Sequence, residues 1–159
     1  MTISPADHAH LRRCVDLART AIEDGDEPFG SVLVSADGCE LYADRNRVKD
    51  GDETRHPELA IAQWAVAHLT PEERAAATVY TSGEHCPMCA AGHGWVGLGR
   101  IVFAVSSAQL AGWRSEWGAP VAPVAALPIT AIVPEAIVEG PVAEYEAELR
   151  ELHRRRFPA

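Results

Sequence analysis

Two short segments hold side chains that could do chemistry together: His56-Pro57-Glu58 and Cys86-Pro87-Met88-Cys89. Thiolate and imidazole are donors that zinc takes in tetrahedral geometry. Cysteines three residues apart at a helix start can turn both sulfurs toward one ion, and a helix N-terminus favours the thiolate form. A histidine opening another helix supplies a third donor. Three protein donors leave a fourth position for water, which marks a catalytic centre rather than a closed structural one. Zinc brings the pKa of bound water to about 7. Glu58 is a poor fourth ligand if water is to bind, but beside that water it can take a proton and return it to a leaving amine.

Each of these residues also has a plainer reading. A C-x-x-C pair alone fits a redox protein or a structural site. His93, four residues after Cys89, could complete a closed site with His56, Cys86 and Cys89, which would leave Glu58 without a role. Glu58 in isolation reads as a surface helix residue. Cys14 and Cys39 read as small buried side chains.

The elements that must position these groups follow from pattern. Residues 4–23 read as a helix, with Ser4 as N-cap, Pro5 at the first position, and Leu11, Val15, Ala18 and Ile22 on one face. Residues 29–34 and 40–44 read as strands joined at Asp37-Gly38, a hairpin signal. Residues 46–55 are a loop. Pro57 opens a helix to about Leu69, and Thr70 to Glu73 is a capped turn. A strand at 78–82 leads into the cysteine pair, a helix follows at 87–96, and 100–106 is a buried-type strand. Residues 107–128 suggest a short helix to 112 and then a lid-like loop. Residues 129–133 read as the last strand. Val142, Tyr145, Leu149 and Leu152 mark the face of a final helix that ends at Arg154 to Arg156. This order implies an α/β fold: one domain over 1–159, a mixed sheet covered by helices on both faces.

The chain has 159 residues and a formal net charge of -9, from 14 Lys and Arg against 23 Asp and Glu. An acidic balance gives no general attraction for phosphate backbones, and no interleaved basic and aromatic patch stands out, so nucleic acid is disfavoured as a partner. A small neutral or weakly basic substrate suits it better. The N-terminus lacks an apolar signal core and no segment is apolar enough for a membrane span. We expect a cytoplasmic protein with reduced thiols.

His-x-Glu followed by Pro-Cys-x-x-Cys is the general signature of zinc deaminases. On His56, Glu58, Cys86 and Cys89 the sequence resembles the cytidine deaminase-like superfamily, and within it the branch of guanine deaminases and tRNA adenosine deaminases. Pro28-Phe29-Gly30, Asn46-Arg47-Val48, Thr81-Ser82-Gly83-Glu84, Trp95 and Gly99 to Phe103 carry the likeness from about Leu11 to Leu152. The resemblance implies a three-layer α/β/α fold with a five-stranded sheet, one zinc per chain with water as fourth ligand, and a dimer or larger assembly. It implies Glu58 as the catalytic proton carrier and His56, Cys86 and Cys89 as ligands. It implies Asn46 as a substrate contact, where the plain reading is a turn residue. Phe29, Pro57, Glu84 and His85 fall in the same substrate-facing segments. Trp113 and Trp117 could stack on a planar base or anchor a loop. Glu116 could accept from purine amino groups, as an acidic residue of this region does in guanine deaminases. Two positions depart from the family, which usually has alanine at Pro57 and proline at His85.

The expected reaction is hydrolytic removal of an amino group from a free purine-type base, guanine or a related heterocycle. Adenosine at a tRNA wobble position and cytosine- or triazine-type rings are the alternatives, and a silent zinc module is the non-enzymatic one.

Overall fold

The structure, a computed structural model, describes residues 3–157. Helix α1 (Pro5–Glu23) starts at a capping box: Ser4 Oγ accepts from the Asp7 amide while the Asp7 carboxylate accepts from the Ser4 amide and hydroxyl. Strands β1 (Gly30–Val34) and β2 (Glu40–Arg45) form the expected hairpin. Helices α2 (Pro57–His68) and α3 (Pro71–Ala76) lead to β3 (Thr78–Gly83), then α4 (Pro87–Val96), β4 (Arg100–Val105) and α5 (Ser107–Glu116). The short helix α6 (Ile129–Ile132), strand β5 (Val138–Glu139), one 3-10 turn (Ala143–Tyr145) and helix α7 (Glu146–Arg156) complete the chain.

The five strands lie in the order β2-β1-β3-β4-β5. β1 pairs antiparallel with β2 and β3, whereas β3, β4 and β5 run parallel. The period-two alternation of strands divides the core between two faces. Val32, Val34, Tyr80, Val102 and Ala104 meet Leu11, Val15 and Ala18 of α1 and Leu149 and Leu152 of α7. Leu33 and Val79 meet Ile61, Ala62 and Ala65 of α2, and Ile101 and Phe103 meet Ala90 of α4. The result is the three-layer α/β/α arrangement with a mixed sheet. Gly30 is required where α1 crosses β1: a Cβ there would lie 2.4 Å from the Cys14 carbonyl oxygen.

Three details differ from the sequence expectation. Ile129–Ile132 form α6, where the sequence pattern predicts the last strand over residues 129–133. Ile129, Ile132 and Val133 are the inward-facing positions, a helical spacing that a β-branched run disguises, and the terminal strand is the two-residue β5. Helix α5 runs on to Glu116, because Trp113 has a core to enter, and only 119–128 lack regular structure. Cys14 is buried as expected, but Cys39 is exposed at the hairpin turn.

Candidate active site

His56 and Cys86 occupy equivalent places, each the N-cap of its helix and each followed by proline at the first helical position. A proline there forfeits no helical hydrogen bond, because first-turn amides have no partner within the helix. Pro57 thus suits the helix start, and it is buried as part of it. Cys89 sits one turn into α4, fully buried. His56 Nδ1 lies 3.6 Å from Cys86 Sγ and 3.5 Å from Cys89 Sγ, and the three donor atoms fall within 4.8 Å of one another. A tetrahedral ion with bonds of about 2.3 Å to sulfur and 2.05 Å to nitrogen separates those atoms by about 3.6 Å. The donor set fits zinc in both chemistry and spacing.

The electrostatics point the same way. Burial opposes charge on His56, but its hydrogen bond to Cys86, with Glu58 nearby, lifts its pKa to about 9. The hydrogen bond from Cys89 outweighs burial at Cys86 and, with His56, lowers its thiol to about 4. Cys89 moves up instead, held by the Cys86 sulfur, by burial and by Glu58. One thiolate forms readily in this triad; a second, close to Glu58, calls for a compensating cation.

Glu58 is 5% exposed, on the first turn of α2. Its Oε1 accepts from Ser31 Oγ at 2.7 Å and Thr81 Oγ1 at 2.8 Å. Neither hydroxyl was singled out from sequence. The signal was present: each is the one hydroxyl residue that faces α2 from its strand, two positions from Leu33 and Val79.

Asn46 is fully buried at the exit of the hairpin. Its Oδ1 accepts from the amides of Glu27 and Val48, each at 3.2 Å, which fixes the side chain, while Nδ2 has no protein partner. A buried donor without an acceptor is rare and costly. The Phe29 ring packs against Gly83, where a Cβ would come within 2.8 Å of it, and meets His153 edge-on at 4.9 Å.

Glu84, Trp113, Glu116 and Trp117 make their contacts elsewhere in the fold. Both oxygens of Glu84 are taken by backbone amides, Ser107 N at 2.8 Å and Ile129 N at 2.9 Å, so this carboxylate braces the starts of α5 and α6. His85 is buried edge-on against His93 at 5.3 Å, and burial keeps it neutral. His93 pairs with the Gly99 carbonyl through Nε2 at 2.8 Å and stands outside the donor set, which removes the closed four-ligand site. Trp113 is buried in the α1/α7 core. Trp117 lies under Arg150 and Arg154, and Glu116 pairs with Arg150 at 2.6 Å, so all three side chains face α7.

A five-stranded α/β/α sandwich with a His-Cys-Cys donor set at two helix starts and a buried glutamate beside it defines the deaminase type of zinc protein. Residues 4–105 match the family model described as the cytidine and deoxycytidylate deaminase zinc-binding region, and the chain belongs to this family. It carries one zinc per chain. Over 110 residues, 68% of this chain and 65% of the relative, it is 34% identical to a probable cytosine deaminase of Schizosaccharomyces pombe. It therefore spans just under two thirds of that relative's length. It is also 34% identical, over 87 residues, to a tRNA-specific adenosine deaminase of Agrobacterium fabrum, covering 54% of this chain and 57% of that one. A guanine deaminase structure from Nitrosomonas europaea superposes with a TM-score of 0.68 at 19% identity, covering 98% of this chain and 86% of that one, a likeness of fold. No helix among the described residues is long and apolar enough to cross a membrane.

Proposed function

We propose that this protein is a hydrolytic aminohydrolase acting on a free nucleobase, with a purine-type aminated ring such as guanine as the best candidate. The observation that carries this reading is the buried Glu58 carboxylate, fixed by one oxygen, on the same helix start as His56. In a structural zinc module such a group would be costly to bury and would have no use. When zinc is bound by His56, Cys86 and Cys89, it supplies Lewis acidity that makes water nucleophilic near neutral pH.

The chain's own residues do the rest. Glu58 takes a proton from water as the oxygen adds to the ring carbon that bears the amino group, and passes it to the neighbouring ring nitrogen. A second transfer through Glu58, from the added hydroxyl to the amino nitrogen, makes ammonia the leaving group. The C–N bond breaks and a carbonyl remains. Asn46 Nδ2 is free to donate to the ring. A cleft of about 470 Å³ lined by Tyr42, Asp44, Arg47, Thr54, Arg55 and His56 opens beside the centre, within the size range of small-molecule sites. The outer faces of α2 and α4 expose Val66 and Trp95, the latter 90% exposed, which favours a homodimer through these helices.

One observation favours a second reading, adenosine in RNA. The fold assembles the basic and aromatic cluster that the linear sequence did not reveal: Arg114 over Phe157, and Arg150 and Arg154 over Trp117. An ammonia-release screen over free bases, nucleosides and tRNA, run on the parent and Glu58→Ala, decides between them. The expected result is release from a free base that Glu58→Ala lowers by about 10²-fold or more with zinc retained. Equal release by both proteins would refute the mechanism, and activity on tRNA alone would replace the substrate.

A further inference from the structure

We infer that Ser31 and Thr81 form a dedicated cradle that positions Glu58 for proton transfer. This rests on Glu58 being the proton carrier proposed above. The two residues are register partners across β1 and β3, and both are fully buried. Their side chains point to the α2 face of the sheet, directly under the first turn of that helix. Ser31 Oγ and Thr81 Oγ1 are 2.8 Å apart and both reach Glu58 Oε1, at 2.7 and 2.8 Å. Thr81 Oγ1 also reaches the Gly83 carbonyl at 2.9 Å.

Two hydroxyls on one carboxylate oxygen fix both the position and the plane of the carboxyl group. Both contacts fall on Oε1, so Oε2 is left for the reacting water. The chain of contacts serves Glu58 whether or not it carries a proton. To a carboxylate, both hydroxyls donate. When the proton arrives on Oε2, Oε1 becomes the carbonyl oxygen of a carboxylic acid and goes on accepting from both hydroxyls. Heavy atoms need not move as the proton arrives and leaves, which is the condition for a preorganised proton carrier. Ordinary core packing accounts for neither hydroxyl: the neighbouring inward positions are Leu33 and Val79, and burying a hydroxyl costs about 1–3 kcal/mol without a partner.

The test compares the parent, Glu58→Gln, Ser31→Ala, Thr81→Val, the double variant and Thr81→Ser, on the base the parent turns over best. Zinc content and melting temperature are measured for each. The cradle requires kcat to fall at least about tenfold in Ser31→Ala and Thr81→Val with KM within about twofold. Thr81→Ser, which keeps the hydroxyl, should return most of the rate. The double variant should lose less than the product of the two single losses, because one oriented group is being removed twice. A crystal structure of the double variant, or of Ser31→Ala if the double does not fold, should show the Glu58 carboxyl group rotated from its place. A carboxyl group found unmoved, or kcat near parental in folded, zinc-loaded variants, would overturn the cradle. Were Glu58→Gln as active as the parent, the deaminase mechanism itself would fail instead.

Discussion

His56 and Cys86 lie thirty residues apart in sequence, yet the ring nitrogen of one sits 3.6 Å from the sulfur of the other because each is the N-cap of its helix and the two helices pack together. The metal centre is thus a property of two helix starts, and its protonation follows from their proximity. With His56 raised to about 9 and Cys86 lowered to about 4, the metal-free triad near neutral pH holds an imidazolium, one thiolate and, at Cys89, a thiol. Zinc needs neutral imidazole and two thiolates. Binding is therefore expected to release about two protons per ion, one from His56 and one from Cys89, throughout the window between those pKa values. Affinity should rise with pH across that window. Calorimetry of zinc binding in buffers of different ionisation enthalpy reads the number directly. Release of about one proton would show that His56 is already neutral.

Asn46 can be tested without dismantling its turn. Asn46→Asp keeps an acceptor for the Glu27 and Val48 amides and replaces the Nδ2 donor with the second oxygen of a carboxyl group. The protein should stay folded and zinc-loaded while kcat/KM falls at least about tenfold, the equivalent of about 1.4 kcal/mol. Steady-state kinetics beside a thermal melt checks this. An unchanged kcat/KM in the folded variant would remove Asn46 from the substrate site.

The metal centre was legible because its chemistry is local: His-x-Glu and Cys-x-x-Cys are spacings within one helical turn. So were α1, the β1/β2 hairpin and α2, where capping residues, Asp37-Gly38 and Pro57 act on their own neighbours. What stayed hidden depends on partners distant in sequence. Ser31 and Thr81 acquire a role only once β1 and β3 pair. Asp7 read as a first-turn residue, yet it also accepts from the Tyr80 hydroxyl at 2.7 Å and from Arg100 at 2.7 Å. Glu116 and Trp117 sit in the expected region of the chain, but only the docking of α7 shows that they turn toward Arg150. Ile129 to Val133 misled because β-branched residues suit a strand, and the buried positions, which decide the matter, are set by Ala90 and Phe103.

Glu84 is expected to act on stability before it acts on rate. Its carboxylate holds the first amides of α5 and α6, contacts worth about 1.5–3 kcal/mol each when an ionised acceptor is involved. Glu84 is half-buried, so the lower end applies. Glu84→Ala should lose about 3 kcal/mol, or a melting temperature lower by about 6–12 °C. Glu84→Gln, which keeps one acceptor, should lose less. A melting temperature unchanged in Glu84→Ala would show that the brace is not needed.

His153 makes the acid sensitivity of the fold testable at one position. It is buried against Phe29 and Trp113, its Nε2 has no partner, and burial together with Arg114 lowers its pKa to about 3. In the unfolded chain it titrates near 6.5. The folded value is the lower one, so between those limits the unfolded state binds more protons. The stability due to neutral His153 is complete above about 6.5 and drains away as pH falls toward 3. His153→Leu removes the titrating group and keeps an apolar side chain in the core. Chemical denaturation at about pH 7 and about pH 4 should show a smaller loss of stability in the variant than in the parent. An equal loss in both proteins would mean that His153 is already protonated, or accessible to solvent, in the folded state.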